Sequence, residues 1–372
     1  MKRSVTVLSD IQALPPEAID SPDSGSSTRS LSDPWTLGGL QIANRVVLAP
    51  LAGIGNWFVR LQAKRYGAGM AVSEMVSSHA IHHRNERTCT EMLRIDPRER
   101  DPGTGAPGGP VSIQLFGEDP DVMREAAAVV AALGADAIDI NMGCPVPKVR
   151  KTGAGAALLD DPDRAVAVAR ATVEGAGGLA VTVKLRSGLR PGDHSGFELA
   201  HRLVAEAGVA AIGFHPRSAA VHHKGRPDYE LAARLVASLP APVILTGGLN
   251  DADGIREAFA ETGAAAVMLA RGALGNPWLF AELLQDPAQP HRHPSREQVL
   301  DELHWTIERA VEHLGEQRAT RYLRKFYPWY MPRLELDGGA AKRLQESLQT
   351  ALTLAQVRDL LACACPPSLL VV

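Results

Sequence analysis

The stretch VSIQLFGEDPDVMREAAAVVAALGADAIDINMGCP, residues 111–145, carries one complete strand–helix–strand signal. Val111–Leu115 is a short apolar, β-branched run, and Asp119-Pro120 then opens a helical pattern that continues to Leu133. Aspartate accepts hydrogen bonds from the first free amides of a helix, and proline at the next position sacrifices no bond there. The pattern stops at Gly134, and Ala137–Ile140 is a second apolar run. Two buried strands joined through a helix lie parallel. The second strand runs into Asn141-Met142-Gly143-Cys144-Pro145, a polar loop marked by glycine and proline.

The same unit recurs to either side. Apolar runs at Val46–Ala49, Met70–Val72, Val111–Leu115, Ala137–Ile140, Ala180–Leu185, Ala210–Phe214, Val243–Leu245 and Ala265–Leu269 make eight. Asp161-Pro162 opens a helix to Val173, Asp251 opens one to Thr262, and LGAD, EAGV and ETGA end helices at glycine. Eight strands alternating with helices predict an α/β fold, a (β/α)8 TIM barrel over residues 34–286. A doubly wound open sheet is the alternative, but no GxGxxG follows the first strand. Beyond Leu284, QDPAQPHRHPS reads as a linker, and helical patterns at Glu297–Leu314, Gln317–Tyr327, Ala341–Ala351 and Leu354–Ala362 predict a small helical-bundle domain over 295–365. Residues 1–33 end in SPDSGSSTRSLSD and predict a disordered tail.

Composition excludes several classes. The 372 residues are 45% hydrophobic and 22% charged, as in ordinary globular proteins. With 39 Lys and Arg against 42 Asp and Glu the net charge is −3, so any nucleic-acid partner needs a local basic patch. Four cysteines, Cys89, Cys144, Cys363 and Cys365, are too few for a disulfide framework and point to a reducing compartment. No signal peptide is evident, and no stretch reaches the roughly 18 apolar residues of a membrane span. The expectation is a cytoplasmic monomer without metal, since CxC near the end has no histidine close by in sequence.

In such a barrel the reacting groups follow the carboxyl ends of the strands. Those ends are Pro50-Leu51-Ala52-Gly53, Glu74, Gln114, Asn141 to Pro145, Lys184 with Arg186, His215 with Arg217, Thr246-Gly247-Gly248 and Arg271-Gly272. Every strand delivers a polar or glycine-rich group to one mouth. Glycines let backbone amides approach an anion, so Gly247-Gly248 with Arg271-Gly272 form a phosphate-site candidate, against the plainer reading that these glycines only turn the chain.

The sequence also resembles a known family. DINMGCPVPKVRKTGAGAALL (139–159) is similar to the signature of the tRNA-dihydrouridine synthases, flavoenzymes that reduce particular uridines of tRNA. APLAGIGNWFVR (49–60), SIQLFGEDP (112–120), TVKLRSG (182–188), MLARGALGNPWLF (268–280) and RKFYPWYMPRL (324–334) resemble further family segments. The resemblance spans roughly Pro34 to Leu348. Thr246-Gly247-Gly248 departs from the family's usual Asn-Gly-Asp, and Pro216-Arg217 replaces a small residue after the histidine.

The resemblance implies flavin mononucleotide (FMN) in the mouth and NADPH as electron donor. Pro50, Leu51 and Ala52 would line the flavin ring, Gln114 would meet its pyrimidine edge, and Lys184 would sit near N1 and O2. His215, Thr246, Gly247, Gly248, Ala270 and Arg271 would hold the phosphate. Cys144 would be the general acid, delivering a proton to uracil C5 after hydride transfer to C6; a free thiol, with its ordinary pKa of about 8.5, is mostly protonated at neutral pH. The plainer reading of Cys144 is a small buried apolar group. Asn141 would bond the uracil edge, and Lys148 and Arg186 would position the base or its phosphates.

The partner implied is tRNA, whose target base must leave its stack to enter the pocket. Arg318, Arg321, Arg324 and Lys325 recur at helical spacing, and residues 318–343 hold seven basic against two acidic groups. A solvated helix face is the plainer account of such a stripe. Two other functions remain open on sequence alone: an FMN-barrel oxidoreductase of a free pyrimidine or enone, and a flavin-free RNA-binding protein.

Overall fold

The structure, a computed structural model, describes residues 29–104, 108–289 and 293–364. Most of the expected tail, part of the 101–110 loop, part of the linker and Cys365 lie outside the described residues. In chain order the strands are β1 (Trp35–Leu37), β2 (Leu40–Ile42), β3 (Val46–Leu48), β4 (Met70–Val72), β5 (Val76–Ser77), β6 (Val111–Phe116), β7 (Ala137–Met142), β8 (Ala180–Arg186), β9 (Ala211–His215), β10 (Val243–Thr246) and β11 (Ala266–Leu269). All eight apolar runs become strands of one parallel barrel. Its order is β3-β4-β6-β7-β8-β9-β10-β11, and β11 returns to β3 with Met268 opposite Val47. Two-residue β5 extends the β6 edge beyond β4.

Closure divides each strand by parity, because successive side chains point to opposite faces. The outward set, including Ile113, Ile140, Val183, Phe214 and Leu245, packs with the helices in the larger core. The inward set starts small at the amino-terminal end, with Ala137, Ala180, Ala211 and Ala266. That space is filled by the β1–β2 hairpin, whose Trp35, Leu37 and Ile42 belong to the same inner core. A Cβ on Gly38 would lie 2.9 Å from the Ala180 methyl carbon.

The hairpin is absent from the sequence expectations, although WTLGGLQI holds its signal. Gly38 and Gly39, at φ 53° and 84°, supply the two positive-φ residues of a tight hairpin turn between alternating apolar positions.

The carboxyl-terminal helices, from Arg296–Leu314 onward, pack against the barrel helix Trp57–Arg65. Buried Glu302 accepts from Gln62 Nε2 at 2.8 Å, Tyr66 Oη at 2.8 Å and Arg65 Nη1 at 3.1 Å, and Gln62 Nε2 also donates to Tyr330 Oη at 2.9 Å. An aromatic cluster of Trp57, Phe58, His313, Tyr322 and Phe326 joins the same helices. The helix expected over Gln317–Tyr327 is instead Glu316–Leu323, a turn, and a new helix Tyr327–Tyr330. In one continuous helix the Pro328 ring would strike the Arg324 carbonyl. Broken there, that carbonyl accepts from Gln349 Nε2 at 2.8 Å. No helix among the described residues is long and apolar enough to cross a membrane.

Beneath the first mouth loop, fully buried Arg60 meets Glu99 through Nε to Oε2 at 2.7 Å and Nη2 to Oε1 at 2.9 Å. Its remaining donors reach the Arg94 carbonyl at 2.7 Å and the Gly55 carbonyl at 3.3 Å. Replacing one partner of such a pair strands the other charge. Arg60→Met is therefore expected to cost about 3–5 kcal/mol in urea unfolding, and Arg60→Met with Glu99→Met to recover most of it.

Half-buried His313 has its pKa lowered from 6.5 to about 4, mainly by burial. Between these values the unfolded chain binds the extra proton and the folded one does not, so stability falls as pH drops from 6.5 toward 4. His313→Gln should flatten that fall in pH-dependent unfolding.

Candidate active site at the barrel mouth

The carboxyl ends of the strands enclose a cavity of about 320 Å³. Pro50, Leu51 and Ala52 after β3 form one wall, with Met75, Met268 and Ala270. Gln114 on β6 and Asn141 on β7 come from adjoining strands, and Gly143 and Cys144 follow β7. Lys184 and Arg186 on β8, His215 on β9, Thr246, Gly247 and Gly248 at β10, and Arg271 after β11 complete the ring. Fourteen of the residues singled out from sequence thus line one cavity; Lys148, Arg321, Arg324 and Lys325 lie outside it.

The end formed by β8 to β11 is rich in cations. Arg217 joins Lys184, Arg186 and Arg271 there, and His222 and His223 line the same end, with burial lowering the His223 pKa to about 4 and leaving its ring neutral. Burial pushes the Lys184 pKa down, as does nearby Arg186, while Asp139 and Cys144 oppose the shift. Burial and neighbouring Arg217 draw Arg186 down to about 10. His215 is held well below its ordinary value by burial and then by Lys184, Arg186 and Arg217, so its ring is neutral. Arg217 Nη1 donates to His215 Nε2 at 3.3 Å; arginine can only donate, which assigns the ring proton to Nδ1.

Gly247 lies against that ring. At φ 97° its added Cβ would fall 2.3 Å from His215 Cδ2, so only glycine leaves the imidazole in place and the backbone open to a ligand. Tyr229 Oη donates to the Gly247 carbonyl at 3.0 Å and steadies the turn. Together this end offers an anion several cationic donors and close backbone, while the Pro50–Ala52 end offers apolar surface.

A directed chain of hydrogen bonds runs beneath the floor. Buried Asp139 accepts from Thr182 Oγ1 and from Gln114 Nε2, the latter at 2.6 Å. Gln114 Oε1 accepts from Asn141 Nδ2 at 2.9 Å, and Asn141 Oδ1 accepts from the amides of Gly143 at 3.2 Å and Cys144 at 2.9 Å. Arg186 secures the same loop from the other side, donating to the Gly143 carbonyl at 3.0 Å and to the Ser218 and His222 carbonyls at 3.1 and 2.7 Å.

The opposite rim is tied to the helical region. Glu74 accepts from the Gly53 amide at 2.9 Å, and Lys325 Nζ donates to the Gly53 carbonyl at 2.9 Å. Tyr322 Oη donates to the Ile54 carbonyl at 3.0 Å and accepts from Asn56 Nδ2 at 2.6 Å. The basic stripe therefore does not form one open face. Arg318 makes a two-pronged bond to Glu91 at 2.6 and 2.7 Å, and Arg324 is half-buried and donates to the Ala351 carbonyl at 3.0 Å. Arg321 is exposed, as is Lys148 on the short helix Pro147–Arg150 beside the Cys144 loop. Among the described residues, no group of three or more His, Cys, Asp and Glu is placed to hold a metal.

Arg217, expected at the mouth from its place after the sixth strand, lines the cavity, whereas sequence reasoning singled out none of Asp139, Met75, His223 or Tyr229. Asp139 was open to detection: it interrupts an apolar strand two residues before Asn141, on the same face. Met75 and Tyr229 carry no such signal, because their loops and helices alone decide where they point.

A closed (β/α)8 barrel with a cation-rich pocket over its strand ends has the architecture of a barrel enzyme whose pocket suits an anion. The chain belongs to the dihydrouridine synthase (Dus) family, whose model matches residues 47–362. It is 36% identical over 296 residues to tRNA-dihydrouridine synthase B of Xanthomonas axonopodis pv. citri, covering 79% of this chain and 86% of that protein. To tRNA-dihydrouridine synthase B of Vibrio cholerae it is 33% identical over 318 residues, covering 85% and 94%.

Among solved structures, the fold is similar to a 2-naphthoyl-CoA reductase (TM-score 0.52, 14% identity, 68% of this chain and 52% of that one). It is also similar to a morphinone reductase variant in complex with tetrahydroNAD (TM-score 0.50, 18% identity, 70% and 93%).

Gly247→Ala is expected to destabilise the protein by about 1–2 kcal/mol from its left-handed backbone alone, with further loss from displacement of His215. Unchanged urea unfolding would show that the turn shifts freely.

Proposed function

We propose that this protein reduces particular uridines of tRNA to 5,6-dihydrouridine, with FMN bound at the barrel mouth and NADPH as the electron source. The observation that carries this reading is the meeting, in one cavity of a Dus-family chain, of Cys144, Asn141, Lys184 and the His215–Gly247 pair. The residues present fit the flavin. Pro50, Leu51 and Ala52 supply apolar wall, Gln114 and Lys184 supply donors to a polar ring edge, and His215, Thr246, Gly247, Gly248, Ala270 and Arg271 receive the phosphate. When bound, the flavin supplies the hydride that adds to C6 of the uracil.

Cys144 supplies the proton. Hydride at C6 leaves an electron pair at C5, and the Cys144 Sγ–H bond breaks to form C5–H, leaving a thiolate. Lys184 and Arg186 feel the charge of Cys144 and stabilise that thiolate. Asn141 has its oxygen occupied by the Gly143 and Cys144 amides, so it meets the substrate only as a donor.

Arg186, which anchors three carbonyls of the mouth loops, holds the pocket around the extruded base. Exposed Lys148 and Arg321 flank the entrance as phosphate contacts, and Lys325, with the partly buried Arg324, joins the helical region to the rim near the path of the RNA.

In a strain lacking the gene, tRNA should lose dihydrouridine at particular positions, and the wild-type gene should restore it. Cys144→Ala should bind tRNA normally but turn it over about 10²–10⁴-fold more slowly, the usual scale for a removed general acid. Full turnover of free uracil by the wild-type protein, with no effect on tRNA, would overturn the reading.

A further inference from the structure

We propose that Asp139 is the positioning residue of this site, fixing from beneath the floor which way the Gln114 and Asn141 amides face and thereby seating the Cys144 loop. Its catalytic consequence rests on the function proposed above, whereas its effect on the loop does not. An ionised carboxylate only accepts, and both Asp139 oxygens are engaged, by Gln114 and Thr182. Gln114 must then turn its amino group toward Asp139 and its oxygen toward Asn141.

Asn141 must in turn present its amino group to Gln114, which leaves its oxygen for the Gly143 and Cys144 amides. The Gly143 and Cys144 amides, which can only donate, demand the same direction from the loop end, and Asp139 is the charged acceptor that holds it at the other.

The same logic sets what the floor offers a ligand. Gln114 and Asn141 both line the cavity, and each has its oxygen engaged within the chain. Gln114 keeps one N–H, and the second N–H of Asn141 meets only the weakly accepting Met75 sulfur at 3.6 Å, so beside the Lys184 ammonium the floor chiefly offers donors to acceptor atoms. Reversal of Gln114 would exchange a donor for an acceptor there and place two amino groups face to face at Asn141. Burial pushes the Asp139 pKa up, while the bonds from Thr182 and Gln114 and the charge of Lys184 favour its ionised form. Such charge-assisted bonds are the stronger kind, which suits a carboxylate that must impose an orientation.

The test reads the loop directly, as the rate at which iodoacetamide alkylates Cys144 in the purified full-length protein, resolved from the other cysteines by peptide mass. Asp139→Asn permits both orientations of Gln114, and Gln114→Glu sets two carboxyl groups face to face. Each should raise the Cys144 rate about tenfold, the factor for loss of one charge-assisted hydrogen bond.

The combined Asp139→Asn with Gln114→Glu moves the amino group to position 139 and restores an acceptor facing Asn141, so its rate should return to that of the wild type. Thr182→Val removes one bond to Asp139 but leaves the carboxylate, and should leave the rate unchanged. Urea unfolding of each variant separates loosening of the loop from loss of fold. If Gln114→Glu does not fold, the contrast between Asp139→Asn and Thr182→Val decides alone.

Unchanged alkylation in folded Asp139→Asn, or a double variant as reactive as the singles, would overturn the proposal. A seated loop in a protein that makes no dihydrouridine would overturn the function and leave the positioning role standing.

Discussion

Pairing of Val46–Leu48 with Val267–Leu269 closes the sheet, and closure is the constraint on which everything else rests. A closed barrel has one interior, and strict alternation sends every second residue of each strand into it. On β7 those residues are Ala137, Asp139 and Asn141: a methyl group beside the hairpin plug, a carboxylate in the middle layer and an amide at the mouth. On β8 the series is Ala180, Thr182, Lys184 and Arg186. Polarity rises along the barrel because the amino-terminal end is plugged by Trp35, Leu37 and Ile42, while the other end opens into the cavity at the mouth.

Buried charge follows the same geometry. A carboxylate in the middle layer of a barrel has no water to bond, so neighbouring strands must supply its partners at the same height. Gln114 and Thr182 stand opposite Asp139 in the strand register and do so. Arg60 and Glu99 solve the same problem outside the barrel, beneath the loop that begins at Pro50. The mouth is therefore supported from below by two sets of buried charges, each bonded on nearly every side.

The carboxyl-terminal helices are part of that support. Tyr322 and Lys325 bond the Ile54 and Gly53 carbonyls, so the first mouth loop is shaped by residues some 270 positions away along the chain. The carboxyl-terminal helices are thereby connected mechanically to the rim of the cavity at the strand ends. Two of the four basic groups of the helical stripe, Arg324 and Lys325, bond backbone carbonyls, and Arg318 is paired with Glu91.

The eight strands, most helix starts and the polar strand ends were legible because they depend on local rules: alternation, capping aspartates and terminal glycines. Thirteen pocket residues were legible for the same reason, since position at a strand end in a parallel barrel implies the mouth, and Ala270 was expected there from the family resemblance. The Gly38-Gly39 hairpin has its own local signal, yet its task of plugging the barrel depends on a lumen that exists only after closure. The break before Tyr327-Pro328 was hidden by helical periodicity that continues across it.

The sequence by itself determined the repeating unit, the groups at the mouth and the kinship of the chain. Only the tertiary structure decided that Asp139 governs the amides of Gln114 and Asn141, that Arg186 clamps two loops through three carbonyls and that Lys325 holds Gly53. Hydrogen-bond direction and charge pairing depend on distances between strands and helices far apart in the chain, and those distances are set when the barrel closes.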